Sequence, residues 1–259
     1  MELVDILRSL ELGKISTARA KKLISLYSVE KIENFAKFDA SRTIRRGIPE
    51  VIFAEPKQLS DLKKIILAAM SRSDRVLVSR ISKNHYKTIL SFSRKNKLKV
   101  QVGKNTTSIL LFKKLLWSGG KVGILTAGTS DIGVAEEARL MCEAMNCKCI
   151  TSYDVGIAGL HRIFPIIKRM IIEEVDAIIV VAGMEGALAS VVSSLVNIPV
   201  IGVPSSVGYG YGAKGVAALA SMLQSCTLGL SVVNIDNGIG AGSFAANIAN
   251  RVATNRSRT

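Results

Sequence analysis

Five short segments join glycine to acidic, hydroxyl or amide side chains: Ala127-Gly128-Thr129-Ser130-Asp131, Tyr153-Asp154-Val155-Gly156, Gly183-Met184-Glu185-Gly186, Pro204-Ser205-Ser206-Val207-Gly208-Tyr209-Gly210 and Asp236-Asn237-Gly238-Ile239-Gly240. Glycine lets main-chain N–H groups come close to a ligand, and the N-terminus of a following helix adds partial positive charge. Such loops therefore suit phosphate or carboxylate. A single glycine after a strand needs nothing beyond a tight turn to explain it. Five of these loops in one half of the chain point to a phosphorylated ligand. No GxxxxGK(S/T) segment occurs, and Gly123 to Gly128 spans a strand rather than a turn, so neither the P-loop nor the GxGxxG fingerprint is present.

Other reactive side chains are sparse. Cys142, Cys147 and Cys149 lack the paired spacing and neighbouring histidine of a zinc site, and read as small packed hydrophobes. Cys226, between a helix and a strand, also reads as a core cysteine. The alternative is a nucleophile, if a cation or helix N-terminus lowered its pKa from about 8.5. His161 and His85 are too far apart for a histidine metal site, and no metal ligand set is expected. Arg42, Arg45 and Arg46 lie within five residues, in a stretch (38–53) with no helical period and a Gly-Ile-Pro break. It is a solvated basic loop, or an extended segment whose guanidinium forks reach a phosphate or carboxylate.

The elements that must position these groups follow from apolar patterning. Strands are expected at 122–126, 149–152, 177–181, 200–203 and 230–235, with helices at about 131–146, 159–174, 185–196, 213–225 and 241–252. Apolar strands alternating with helices imply a doubly wound parallel α/β sheet covered on both faces, with ligands at the strands' carboxyl ends. The first half differs. Two short helices are expected within 1–36, the second capped by Ser16 or Thr17, then helix 60–71, strand 75–79, helix 84–95 and strand 98–102.

Charge divides the chain in the same place. Of 259 residues with a formal charge of +15, residues 1–121 hold 26 Lys+Arg against 10 Asp+Glu, and the rest is near neutral. Two domains are expected, a smaller basic α/β domain over 1–117 and a catalytic domain over 118–255. With 5% aromatic residues and no zinc-finger, RNP or helix-turn-helix pattern, a nucleic-acid module is disfavoured. The apolar runs are too short to span a bilayer, no signal peptide is visible, and a cytoplasmic protein without disulfides is expected.

The strings GILTAGTSDIGVAEEA, SYDVGIAGLHRI, VVAGMEGALASVVSSLVNIPVIGVPSSVGYG and SCTLGLSVVNIDNGIGAG resemble the AIR carboxylase (phosphoribosylaminoimidazole carboxylase) superfamily, with its flavodoxin-like three-layer fold. DASRTIRRGIPEVIF is similar to the stretch that precedes the catalytic domain in the LarB branch, the pyridinium-3,5-biscarboxylic acid mononucleotide synthases of nickel-pincer nucleotide cofactor synthesis. The resemblance covers about residues 38–252.

It implies that nicotinic acid adenine dinucleotide is carboxylated at pyridinium C5 with CO2 or bicarbonate, and that its phosphoanhydride is cleaved to release AMP. It also implies that Cys226 forms a covalent adduct with the ring, while Ser130 and Asp131 hold ribose and phosphate beside Gly128. Glu185 becomes the candidate general acid/base, and Asp154 a second catalytic candidate in a loop that faces substrate in relatives, with His161 following it. Ser205, Gly208, Tyr209 and Lys214 would line the anion site, and Arg42, Arg45 and Arg46 would meet carboxylate or pyrophosphate. Mg2+ is compatible with the anhydride cleavage, no tightly bound organic cofactor is expected, and a homo-oligomer (octamer or dimer) is implied. The alternative on the same fold is an AIR carboxylase or mutase of purine (IMP) synthesis.

Overall fold

The computed structural model describes residues 3–24, 30–32, 36–38 and 47–256. The chain divides into two compact units, one of residues 1–100 with 111–114, the other of 101–110 with 115–259.

The first unit begins with α1 (Leu3–Glu11) and α2 (Thr17–Ile24). Ile6 and Ala20 are their buried residues. The Ser16 hydroxyl accepts from the Arg19 N–H at 3.3 Å, the cap expected from sequence. β1 (Glu30–Ile32) and β2 (Ala36–Phe38) then pair antiparallel, a hairpin the sequence reading had not drawn. The four-stranded sheet has the order β3 (Val51–Phe53), β4 (Arg75–Ser79), β6 (Ile109–Phe112), β5 (Lys99–Val102), with β3 and β4 parallel. α3 (Leu59–Arg72) buries Leu62, Ile65, Ile66, Ala69 and Met70, the i, i+3, i+4 stripe of an amphipathic helix. α4 (Lys83–Lys95) buries only Ile89 and Ser93 and turns its charged faces to water.

The second unit holds a five-stranded sheet of order β11 (Leu230–Val232), β10 (Val200–Pro204), β9 (Ala177–Ala182), β7 (Lys121–Thr126), β8 (Lys148–Ser152), and every pairing is parallel. β9 is buried at all six positions, as a central strand covered on both faces must be. The helices are α5 (Ile132–Ala144), α6 (Ile163–Ile172), α7 (Ala187–Leu195), α8 (Val216–Leu223) and α9 (Gly238–Arg256). α9 packs on α5 through small residues. A β-carbon on Gly242 would lie 2.6 Å from the Ala138 carbonyl oxygen, so the backbones approach closely there. In sheet order the second strand of this unit (β8) lies outside the first (β7), and the third (β9) lies on the first's other side. The direction of winding therefore reverses between β7 and β9, and a crevice opens at their carboxyl ends.

Several boundaries differ from those expected; α9 is longer at both ends, and three others have a clear backbone cause or limit. A 3-10 turn over Ile157–Arg162 precedes α6, because Gly159 has the non-helical pair φ −135°, ψ 62°. α8 starts at Val216 because Lys214 (φ 63°) and Gly215 (φ 80°) are both left-handed. β11 ends at Val232. Among the described residues no helix is long and apolar enough to cross a membrane.

Candidate functional site

The β7 loop is closed by Asp131. Its Oδ2 accepts from the Gly128 N–H at 2.9 Å, and the Asp131 N–H donates to the Gly128 carbonyl oxygen at 3.3 Å. The side chain is buried, yet Oδ1 has no hydrogen-bond partner. Burial pushes this carboxyl above its ordinary 3.8, and the nearby charge of Asp236 adds to that; bonding from Gly128 and Ser205 opposes both. This unpartnered oxygen is sealed from solvent, with the Ser205 hydroxyl as the donor at hand.

Next to it is the β9 loop. The Ala127 N–H donates to the Val181 carbonyl oxygen (2.9 Å), and the Ser205 N–H to that of Ala182 (2.9 Å), so the β7, β9 and β10 loops leave the sheet side by side. Met184 (φ 52°) and Gly186 (φ 68°) are left-handed on either side of Glu185, whose exposed carboxyl stands just before the α7 N-terminus. Gly183 is a position of required close approach, since a β-carbon there would collide with the Val207 carbonyl oxygen. In the β10 loop the buried Ser205 hydroxyl accepts from the Val207 N–H (3.2 Å) and borders Asp131. The Ser206 N–H donates to Asp236 Oδ1 at 2.8 Å, which brings in the loop after β11. The β8 loop is tied to β7 by the Asp154 N–H, which donates to Thr126 Oγ1 at 3.0 Å. Asp154 (φ 60°), Met184 and Asp236 (φ 55°) are thus non-glycine residues in left-handed backbone, one in each of three loops. Strain of this kind gathers at functional sites.

These loops enclose a cavity of about 520 Å3 at the β7–β9 reversal. Of the residues expected from sequence, Gly128, Ser130, Asp131, Glu185, Gly208 and Tyr209 line it, and Ser205 supports it through Asp131. Four others are placed elsewhere. Asp154 is exposed and engaged with Arg162, whose Nη1 is 3.2 Å from its Oδ2. His161 is exposed on the 3-10 turn, and Lys214 is exposed in its left-handed turn ahead of α8; neither lines the cavity. Cys226 is exposed in the link from α8 into the amino end of β11, whereas the cavity lies at the carboxyl ends. Within one chain, therefore, Cys226 is not brought to Glu185 and Asp131. Arg42, Arg45 and Arg46 lie outside the described residues.

The other thiols keep their packing role. Cys142 and Cys147 are buried, burial pushes the Cys147 thiol up to about 12, and the Cys149 thiol is raised by donating a hydrogen bond to the Cys142 sulfur and by burial. Sequence reasoning had named Asp236, Ala127 and Gly156 only as loop positions, and gave no role to Thr126, Arg162 or the Ile157 and Ala158 walls. Their one signal was position, immediately after a strand. Among the described residues no three or more His, Cys, Asp or Glu side chains gather as a metal site.

Comparison with known proteins gives a consistent result. Residues 121–258 match the AIR carboxylase family, and residues 29–103 match the LarB/PurE-like N-terminal domain. An uncharacterized protein of Methanocaldococcus jannaschii is 46% identical over 250 residues, which cover 95% of this chain and 96% of that protein.

Proposed function

Since the chain belongs to the AIR carboxylase family, as a LarB member with the LarB/PurE-like N-terminal domain, we propose that it converts nicotinic acid adenine dinucleotide to pyridinium-3,5-biscarboxylic acid mononucleotide. Family membership makes it a carboxylase-type enzyme; the substrate and the anhydride cleavage are the proposal. The observation that carries it is the presence of two carboxyl groups, Asp131 and Glu185, in one cavity lined mostly by apolar and small residues at the sheet reversal. The N-termini of α5 and α7 open beside it, which favours an anionic nucleotide.

Asp131 takes a ribose hydroxyl, the Gly128 and Ser130 turn meets phosphate, and Tyr209 and Met184 cover the ring. Pyridinium C5 is electron-poor and cannot attack CO2. A thiolate adding at C4 leaves a dihydropyridine whose C5 is enamine-like and bonds to CO2. Glu185 then removes the C5 proton, the C4–S bond breaks, and its electrons restore thiolate and pyridinium. Water cleaves the phosphoanhydride and AMP departs. Any Mg2+ for that step would be carried mainly by phosphate oxygens.

The thiol is the part of the scheme that one chain does not supply. Cys226 is exposed, and so are the apolar Leu223 and Leu228 beside it and Val216 on the same helix. A second copy of the chain covering this patch and presenting Cys226 to a neighbouring cavity accounts for both observations. The primary test is mass analysis of products from nicotinic acid adenine dinucleotide with labelled bicarbonate. One label should appear in a mononucleotide product, with equimolar AMP. Carboxylation of aminoimidazole ribotide alone in a parallel assay would replace this reading with the purine one.

A further inference from the structure

The first unit has a hollow of its own, away from any group used above. It measures about 420 Å3 and is lined by Lys63 of α3 and by Lys87, Thr88, Ser91, Phe92 and Lys95 of α4. Lys87, Ser91 and Lys95 recur at i, i+4 and i+8, with Thr88 and Phe92 alongside, so one stripe of α4 forms one wall. Lys63 comes from the other helix, its ammonium 5.6 Å from the centre of the Phe92 ring. Among the described residues, none of the three lysines has a carboxylate partner. The three lysines border one concavity, and like charges brought to the rim of one hollow favour an anion there.

Geometry narrows the anion. Lys87 and Lys95 are eight residues apart, about 12 Å along the helix, so one phosphate meets both only if both long side chains bend inward, whereas a chain of phosphates meets them with less bending. The Thr88 and Ser91 hydroxyls lie between them as further donors, and Phe92 offers an apolar ring face against which a planar base can stack. We infer that this hollow is a second ligand site, separate from the carboxylase cavity, which takes a nucleoside di- or triphosphate. Its phosphates lie along Lys87 and Lys95 with Lys63, and its base lies on Phe92. A compact hollow with one aromatic ring suits a free nucleotide better than a nucleic-acid strand, which needs a continuous basic track and successive stacking platforms.

Lysine acylation of the full-length protein, read residue by residue by mass spectrometry, tests this without interference from ATP held elsewhere. ATP should slow labelling of Lys63, Lys87 and Lys95 and leave Lys21 and Lys114 unchanged. The Lys87→Gln/Lys95→Gln variant should raise the ATP concentration needed to protect Lys63 by about tenfold or more. Phe92→Leu, which keeps the apolar volume, should weaken protection by ATP and not by inorganic triphosphate. Absence of protection at millimolar ATP would overturn the site. Equal protection by triphosphate and ATP, indifferent to Phe92→Leu, would reduce it to a plain anion patch and overturn the nucleotide. A single-stranded oligonucleotide protecting far below the ATP concentration would overturn it in favour of nucleic acid.

Discussion

Asp131 combines two demands that conflict, a buried position and an ionisable group with one unpartnered oxygen. Its raised pKa means that the folded chain binds a proton which the unfolded chain has already released, so stability falls as pH rises from the ordinary carboxyl range through the raised value. Asp131→Asn removes that loss. Its melting temperature should exceed wild type at pH 7–8, by about 2–4 °C for each kcal/mol recovered, and the gap should close toward pH 4. Thermal unfolding across pH checks this, and a gap independent of pH would show that ionisation is not its source. Turnover by the same variant should drop sharply, because stabilising an active-site position commonly costs function.

At the scale of elements, the cavity depends on loops held apart by almost nothing. Gly183→Ala would force the β9 and β10 loops away from each other at Val207. We expect KM to rise by about tenfold or more with the melting temperature within a few degrees of wild type, since the strands beneath are fully buried. Steady-state kinetics beside thermal unfolding separates the two effects. Much of this framework was legible in the chain. The apolar runs at 177–181 and 200–203 gave β9 and β10 nearly to the residue, because strands buried on both faces leave an unbroken hydrophobic run. Hidden from sequence was whatever depends on backbone sign or on lateral pairing: the left-handed Lys214 and Gly215 that delay α8, the short strand β6, and the β1–β2 hairpin. Of the cavity lining, Asp131, Glu185 and Tyr209 could be picked out because they follow strands. Cys226 was carried by resemblance alone, and its distance from the cavity follows from chain direction, since it precedes a strand where the others follow one.

For the whole molecule, a site completed by a second copy predicts complementation. Cys226→Ala and Glu185→Gln should each be inactive, yet their co-expressed mixture should regain about a quarter of wild-type turnover if dimers form at random. If thiol and carboxyl act from the same chain, the mixture stays as inactive as its parents. The basic excess of the first unit also has a partial assignment, in the hollow between α3 and α4. One further consequence concerns redesign. The candidate cavity is bounded in part by Ala127, Gly128, Gly156, Ala158, Ala182, Gly183, Ala187 and Gly208, which have little or no side chain to cut back. Along that part of the wall a single methyl group narrows the range of accepted molecules, and room can be gained only where a longer side chain stands, at Ile157, Met184, Leu188, Val207 or Tyr209.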